Sequence, residues 1–302
     1  AVGPSGRVVG MDISAPMLAE GASRAKASGI TNVEWRQDDP GIVPAGDVYG
    51  NGAPTGIVFY EGDAFGEKWR GLLLSCETSR NVVFGYLPKP DGAGYKLDRM
   101  QFFTTNKEQD LAGIDGMRGK MATNAAGKLT PESFKTWFRP SDVAVGPDGA
   151  IYVADWFDPR TGGHAALDST FAGAIYRITP KGKKLATPKI DVGTTAGQIA
   201  ALKSPAVNVR ALGFMKLKEA GGASVAPVTA LLKDSNPYVR GRAVFLLSQL
   251  GKEGLAKTEE QLKNPDPMIR IAAFRALRRV NHRVLEHARV LAKDSSPAVR
   301  RE

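Results

Sequence analysis

The pattern of hydrophobic and polar positions changes twice along the chain and predicts three consecutive segments. Residues 1–46 show a short apolar run, a helical pattern and a second apolar run, as in a parallel α/β unit. Residues 47–190 carry closely spaced strand-like runs separated by turn residues, which is typical of an antiparallel sandwich, barrel or propeller. Residues 191–302 have helical periodicity. We therefore expect a multidomain α and β protein with three parts.

A pair formed by a β-branched residue and an arginine recurs every thirty residues in the third segment. A proline stands shortly before each pair, where it can begin a helix. Helical units of fixed period predict an α-solenoid, in which neighbouring units cover each other's apolar faces. The fourth unit stops within a helical pattern, so we expect a truncated array. The pairs are Val209-Arg210, Val239-Arg240, Ile269-Arg270 and Val299-Arg300.

Composition and charge narrow the class of protein. Hydrophobic residues make up 42% and charged residues 24%, as in ordinary globular proteins, and no apolar run is long enough to span a membrane. The net charge is +10, and residues 204–302 hold 18 Lys and Arg against 9 Asp and Glu. We favour arginines that cap and hold helices, and a surface that attracts an acidic partner is the alternative. No nucleic-acid-binding motif is present, so no nucleic acid is expected.

The few histidines and the one cysteine limit the available chemistry. Cys76 excludes an intramolecular disulfide and multi-cysteine metal sites within the chain, and we expect a buried, unreactive thiol. Two of the three histidines, His282 and His287, fall on the basic helical array, and we expect them at the surface.

Candidate chemistry gathers after a predicted strand of the second segment. Asp155, Asp158 and His164 follow one another in a Gly-rich stretch, and two carboxylates with an imidazole can bind Ca²⁺ or place a general base. The alternative is that both aspartates form Asx turns and His164 bonds within its loop. Arg139 and Asp142 are expected to pair, as scaffold or as catalytic residues.

The thirty-residue repeat resembles HEAT repeats over about 100 residues. HEAT arrays are mainly interaction surfaces, so this resemblance implies a protein partner.

Residues 137–159, with the core Gly146-Pro-Asp-Gly-Ala-Ile-Tyr-Val153 and the following Gly162-Gly-His164, resemble propellers of the glucose/sorbosone dehydrogenase type. Such a propeller followed by HEAT repeats is similar to the large membrane-bound dehydrogenases. The resemblance implies export to the periplasm, pyrroloquinoline quinone with Ca²⁺, a sugar or polyol substrate, and His164 as base. The segment has room for roughly three blades, whereas a ring needs about four to eight. We therefore expect this chain to be inactive.

The first segment resembles a part of the class I S-adenosylmethionine methyltransferases. The matching stretches are Gly6-Arg-Val-Val-Gly-Met-Asp-Ile-Ser14 and residues 32–39. The resemblance implies that Asp12 bonds the ribose of S-adenosylmethionine and that Asp39 lies near its adenine. The first strand of that fold and its later strands are missing, so the segment is either a genuine fusion or an artefact of gene assembly.

Three hypotheses about function result. The first is a fragment of an exported sugar or polyol dehydrogenase-like propeller with a HEAT-repeat tail. The second is a non-enzymatic scaffold in which propeller and solenoid bind protein partners. The third is a fusion with a methyltransferase.

Overall fold

A computed structural model describes residues 8–12, 15–37, 47, 49–50, 52–107, 110–111, 117–119, 123–128, 130–161 and 173–302. The chain folds as two compact units, which divide between Val48 and Tyr49. Sheets precede a helical C-terminal region, as the sequence predicts.

The first unit is a strand–helix–strand motif. Strand β1 (Val8–Asp12) and strand β2 (Val33–Gln37) pair in parallel, and helix α1 (Ala15–Ala27) connects them. Pro16 stands in the first turn of α1, where its missing N–H costs nothing. Gly29 follows the helix with φ of 69°, the left-handed conformation that ends helices. The predicted parallel strand–helix–strand arrangement is confirmed.

The second unit begins with antiparallel sheets. A four-stranded sheet has the order β3-β4-β5-β8, a three-stranded sheet has the order β11-β10-β9, and β6 and β7 form a hairpin. The strands are β3 (Pro54–Tyr60), β4 (Leu72–Glu77), β5 (Val82–Tyr86), β6 (Lys89–Asp91), β7 (Gly94–Lys96), β8 (Met100–Phe103), β9 (Pro140–Val145), β10 (Ile151–Asp155) and β11 (Ala174–Ile178).

The two larger sheets share one hydrophobic core. Alternate side chains of β4 are buried there, because successive residues of a strand point to opposite faces. The described residues form one four-stranded and one three-stranded sheet, which is short of a closed ring, so the propeller stays a prediction. The buried core residues are Tyr60, Leu72, Leu74, Cys76, Val83, Phe138, Val143, Val145, Ile151 and Val153.

The helical region packs successive helices on continuous apolar clusters. Two helices begin at a proline, Pro237 or Pro267, that follows an N-cap residue, since Asn236 accepts from the Tyr238 amide at 3.0 Å and Asp266 from the Met268 amide at 2.9 Å. The described residues also hold a short helix, α2 (Pro131–Phe134), between the sheets. The helices of the array are α3 (Thr195–Lys203), α4 (Val207–Glu219), α5 (Val225–Ala230), α6 (Pro237–Leu247), α7 (Gly251–Glu260), α8 (Pro267–Arg279), α9 (Val284–Leu291) and α10 (Pro297–Arg301).

One carboxylate joins the sheets to the helices within the second unit. Glu61 follows β3, and its Oε2 lies 3.1 Å from Arg210 Nη1 and contacts Arg242 Nη2. The Asn236 side chain donates to the Glu61 carbonyl at 2.9 Å. Among the described helices, none is both long and apolar enough to cross a membrane.

Candidate functional site

Arg139 lies at the centre of the group that the sequence predicts to carry chemistry. Its side chain is fully buried beside the start of β9. The guanidinium donates to four backbone carbonyls: Asp158 at 2.7 Å, Thr78 at 3.0 Å, Pro159 at 3.1 Å and Met117 at 3.4 Å. Burial lowers the pKa of Arg139 to about 10, and the neighbouring carboxylates of Asp158 and Asp155 oppose that shift. The arginine therefore ties the turn after β4 to the loop after β10.

Backbone amides donate hydrogen bonds to the two aspartates that are predicted to bind metal. Asp155 Oδ1 accepts from the amides of Arg139 and Phe157, both at 2.8 Å, and Asp158 Oδ1 accepts from the Arg160 amide at 2.7 Å. Burial raises the pKa of Asp155, and the two amide hydrogen bonds oppose the rise. Ca²⁺ takes about six to eight oxygen ligands, and two carboxylates that already accept backbone amides beside a buried guanidinium do not suit such a site. The contacts favour the Asx-turn interpretation.

The other predicted site residues make different contacts or lie outside the described residues. Asp142 is exposed on β9, and its Oδ1 accepts from the Val143 amide at 2.8 Å. Asp12 ends β1, but its side chain is not among those described. His164 and Asp39 lie outside the described residues. Their roles as base and as cofactor ligands stay predictions.

A different feature recurs in the helical array. Before α4, α6, α8 and α10, a polar side chain accepts the backbone N–H two residues further on, which forms a turn at each joint. The four acceptors are spaced thirty residues apart, so the repeat seen in the sequence is also a repeat of backbone geometry. They are Ser204 Oγ (3.2 Å), Asp234 Oδ1 (2.9 Å), Asn264 Oδ1 (3.0 Å) and Asp294 Oδ1 (2.8 Å).

The repeated arginine completes each joint. In every unit its Nη1 donates to a carbonyl of the turn before its own helix, which satisfies backbone groups that no helix pairs. The favoured interpretation of the basic composition is confirmed for these residues. The bonds run from Arg210 to Pro205 O (2.9 Å), Arg240 to Asp234 O (2.9 Å), Arg270 to Asn264 O (2.8 Å) and Arg300 to Asp294 O (2.6 Å).

A lysine stands directly before each joint and forms a row along the array. Lys203, Lys233, Lys263 and Lys293 are exposed and share the thirty-residue spacing. Lys203 Nζ pairs with Asp234 Oδ2 at 2.8 Å. Among the described residues, no carboxylate pairs with Lys233, Lys263 or Lys293. We call these three residues the lysine row.

Two histidines converge on one carboxylate in the C-terminal half of the array. His282 Nε2 lies 3.1 Å and His287 Nε2 lies 3.2 Å from Glu259 Oε1, at the end of α7. Arg283 Nη1 is also 3.1 Å from this oxygen, and the same guanidinium contacts Glu286 Oε2 at 2.6 Å. The hydrogen bond from Arg283 lowers the pKa of Glu286. The two histidine side chains are partly buried, which the sequence interpretation as surface residues did not anticipate.

His287 is the most enclosed member of this cluster. Its side chain is 12% exposed, and Nε2 makes no hydrogen bond with any described residue in spite of its distance from Glu259. A buried nitrogen without a partner is destabilising by about 1–3 kcal/mol. Glu259 and His287 line a cleft of about 620 Å³ between α7 and α9. Among the described residues, these three side chains are the group of histidine, cysteine and acidic ligands that comes together closely enough to hold a metal ion.

The sequence contains one signal for this cluster. His282 and His287 are separated by four residues, within the histidine spacing of many zinc sites. Glu259 lies on another helix, 23 residues before His282, and no local pattern marks it.

Two family models match the chain. One is described as a domain of unknown function, DUF7133, and covers residues 19–181, just over half of the chain. The other is described as non-SMC mitotic condensation complex subunit 1 and covers residues 206–295, a likeness that indicates HEAT-like helical repeats. No curated protein matches the chain. Neither description names a dehydrogenase or a methyltransferase.

Proposed function

The chain belongs to the family defined by the domain of unknown function DUF7133, and on that premise we propose that it is a non-enzymatic interaction module whose basic helical array binds an acidic protein surface. The observation that carries this proposal is the lysine row, in which Lys233, Lys263 and Lys293 stand exposed at equivalent positions of successive repeats.

The charges of the lysine row are available because the repeat varies at the neighbouring position. Lys203 pairs with Asp234, one unit further on. The corresponding neighbour of Lys233 is Asn264, which carries no charge. The corresponding neighbour of Lys263 is Asp294, which Arg270 already holds at 2.8 and 2.7 Å. Together with Lys293, three ammonium groups therefore remain for a partner's carboxylates.

The joints hold these lysines on a rigid frame. Each lysine adjoins a turn fixed by a side chain that accepts a backbone amide, and by an arginine that donates to the turn's carbonyls. A preorganised surface loses less conformational entropy on binding, so evenly spaced charges gain affinity and register. The HEAT-like match supports interaction in general terms, and the acidic partner is our inference from the charge.

The dehydrogenase hypothesis draws no support from the described residues. Asp155 and Asp158 accept hydrogen bonds from backbone amides, and Arg139 donates to backbone carbonyls. His164 lies outside the described residues. The non-enzymatic hypothesis therefore accounts better for what is observed.

Binding of a fluorescent Glu- and Asp-rich peptide to the full chain tests the proposal. We expect affinity to fall as NaCl rises, because salt screens exposed charges. Replacing Lys233, Lys263 and Lys293 by glutamine should weaken binding about tenfold, since each exposed pair contributes about 0.2–1 kcal/mol.

A matched control removes the same charge elsewhere. Lys181, Lys184 and Lys189 are exposed and lie outside the array, and their replacement by glutamine should leave the affinity nearly unchanged. Equal weakening by both triple variants would reduce the effect to net charge and overturn the proposal. Tighter binding of a DNA duplex of similar charge would replace the acidic protein with nucleic acid as the partner.

A further inference from the structure

We propose that Glu259, His282 and His287 form a binding site for a divalent transition metal, with Zn²⁺ as the best fit. The three side chains come from the end of α7, the turn before α9 and the first turns of α9. They supply two imidazoles and one carboxylate, and their ligand atoms all lie within 4.8 Å of one another.

The ligand types select the class of metal. Imidazole nitrogen suits zinc, copper, nickel and iron, whereas Ca²⁺ and Mg²⁺ prefer oxygen. Two histidines with one glutamate and one open position is a known zinc ligand set. Zinc has no geometric preference of its own, so a partly flexible site can accommodate it.

Two of the three ligand separations match a tetrahedral site, and the third, between the two histidines, is at most 4.8 Å. With metal–ligand distances of about 2.05 Å, the ligand atoms of a tetrahedron are about 3.3 Å apart. The observed separations from Glu259 Oε1 are 3.1 Å to His282 Nε2 and 3.2 Å to His287 Nε2. The His282 side chain is 29% exposed, so its ring has room to turn toward the ion.

The unpartnered nitrogen of His287 is an independent observation that points to a ligand. Nε2 is buried, faces Glu259 and makes no hydrogen bond with a described residue. A metal at this position would take the lone pair of that nitrogen. Coordination to the metal would then give this buried nitrogen the partner that it lacks.

The neighbouring cation does not block the site. Arg283 contacts Glu259, but its side chain is 54% exposed and is held by Glu286 in two further contacts at 2.9 and 2.6 Å. It can leave Glu259 and keep its bond to Glu286. The cleft beside Glu259 and His287 gives water access to the fourth coordination position.

Zinc binding to the full chain tests the proposal. The protein is purified with a histidine-free tag, stripped with a chelator and titrated with Zn²⁺ against a chromophoric chelator. We expect one zinc per chain and a higher melting temperature with zinc than with chelator. Co²⁺ should give the strong visible absorption of a tetrahedral site.

Variants locate the metal. Glu259→Gln, His282→Gln and His287→Gln should each lower zinc affinity at least about 10- to 100-fold, because loss of a direct ligand costs no less than loss of an outer-shell partner. His164→Gln is the matched control, since His164 is the third histidine of the chain, and it should leave the affinity unchanged. If His287→Gln fails to fold, the variant at the more exposed His282 still measures the effect of losing a ligand on zinc affinity.

Removing the competing cation gives a test in the opposite direction. Arg283→Ala should raise zinc affinity severalfold, because the ion no longer displaces a guanidinium from Glu259. Failure of the wild-type chain to bind zinc stoichiometrically would overturn the proposal. It would also be overturned if only His164→Gln lost zinc, or if the three ligand variants bound as well as the wild type.

Discussion

Replacing Glu61 by alanine should destabilise the second unit by about 2–4 kcal/mol. Glu61 pairs with Arg210 and Arg242, and the three side chains are between 13% and 20% exposed. Breaking a buried ion pair typically costs about 3–5 kcal/mol, because a buried charge is left uncompensated. The cost is smaller here, since Arg242 still donates to the carbonyls of Leu202 at 2.8 Å and Ser204 at 3.2 Å. Burial lowers the pKa of Arg210, and Glu61 opposes that shift. Burial therefore disfavours the charged form of Arg210, and Glu61 stabilises it.

Urea unfolding of the full chain, followed by tryptophan fluorescence and by circular dichroism, measures the change. The midpoint should fall without a change in slope, and the melting temperature should drop by about 5–15 °C. Glu67→Ala is the control, because this exposed glutamate pairs with Arg70 at 3.2 Å and should contribute at most about 1 kcal/mol. The double variant Glu61→Ala/Arg242→Ala should be less destabilised than the sum of the single variants. Equal effects of Glu61→Ala and Glu67→Ala, or simple additivity in the cycle, would refute the reasoning.

Three further predictions concern buried groups. Burial, then Asp142 and Glu77, raise the pKa of the Cys76 thiol to about 12, so iodoacetamide at pH 8 should label it only after unfolding in urea. Since the unfolded thiol ionises near its ordinary pKa of 9.0 and the folded one keeps its proton, this group lowers the free energy of unfolding as pH rises from about 9 to 12; rapid labelling of folded protein would contradict both statements. Arg139→Met should cost about 3–5 kcal/mol by urea unfolding, because the carbonyls it serves lose buried donors; a catalytic role alone would leave stability intact. Arg270→Lys should cost about 1–2 kcal/mol, since lysine cannot reproduce the two bonds to Asp294. Arg270 lowers the pKa of Asp294. The pair therefore stabilises the fold above the pKa that Asp294 has in the unfolded chain, and this stabilisation is lost as pH falls through the lower pKa that Asp294 has in the folded chain. This acid dependence should be smaller in the variant.

The sequence by itself determined the helical array. The thirty-residue period of Val/Ile-Arg pairs predicts stacked units, and the structure shows equivalent turns at Ser204, Asp234, Asn264 and Asp294. A local pattern suffices there because each joint consists of residues within six positions of each other in the sequence. The strand–helix–strand motif at the start is predictable for the same reason, since its signals are apolar runs, a proline and a glycine near the helix ends.

Only the tertiary structure decided what the polar residues contact. The sequence groups Asp155, Asp158 and Arg139 as candidate chemistry, with local Asx turns as the alternative for the two aspartates. It cannot show that Arg139 would donate to the carbonyls of Thr78 and Asp158, or that its amide would donate to Asp155, because these partners come from different strands and loops.

The Glu259 cluster, in contrast, was not predicted from the sequence and is formed only by the tertiary structure. His282 and His287 read as surface positions on a basic helix, and Glu259 reads as one of many helical acids. Packing of α9 beside the end of α7 brings the three side chains together across 28 residues of chain. Periodicity reports the face of a helix, whereas convergence of side chains from two helices depends on how those helices pack, and a linear pattern does not carry that information.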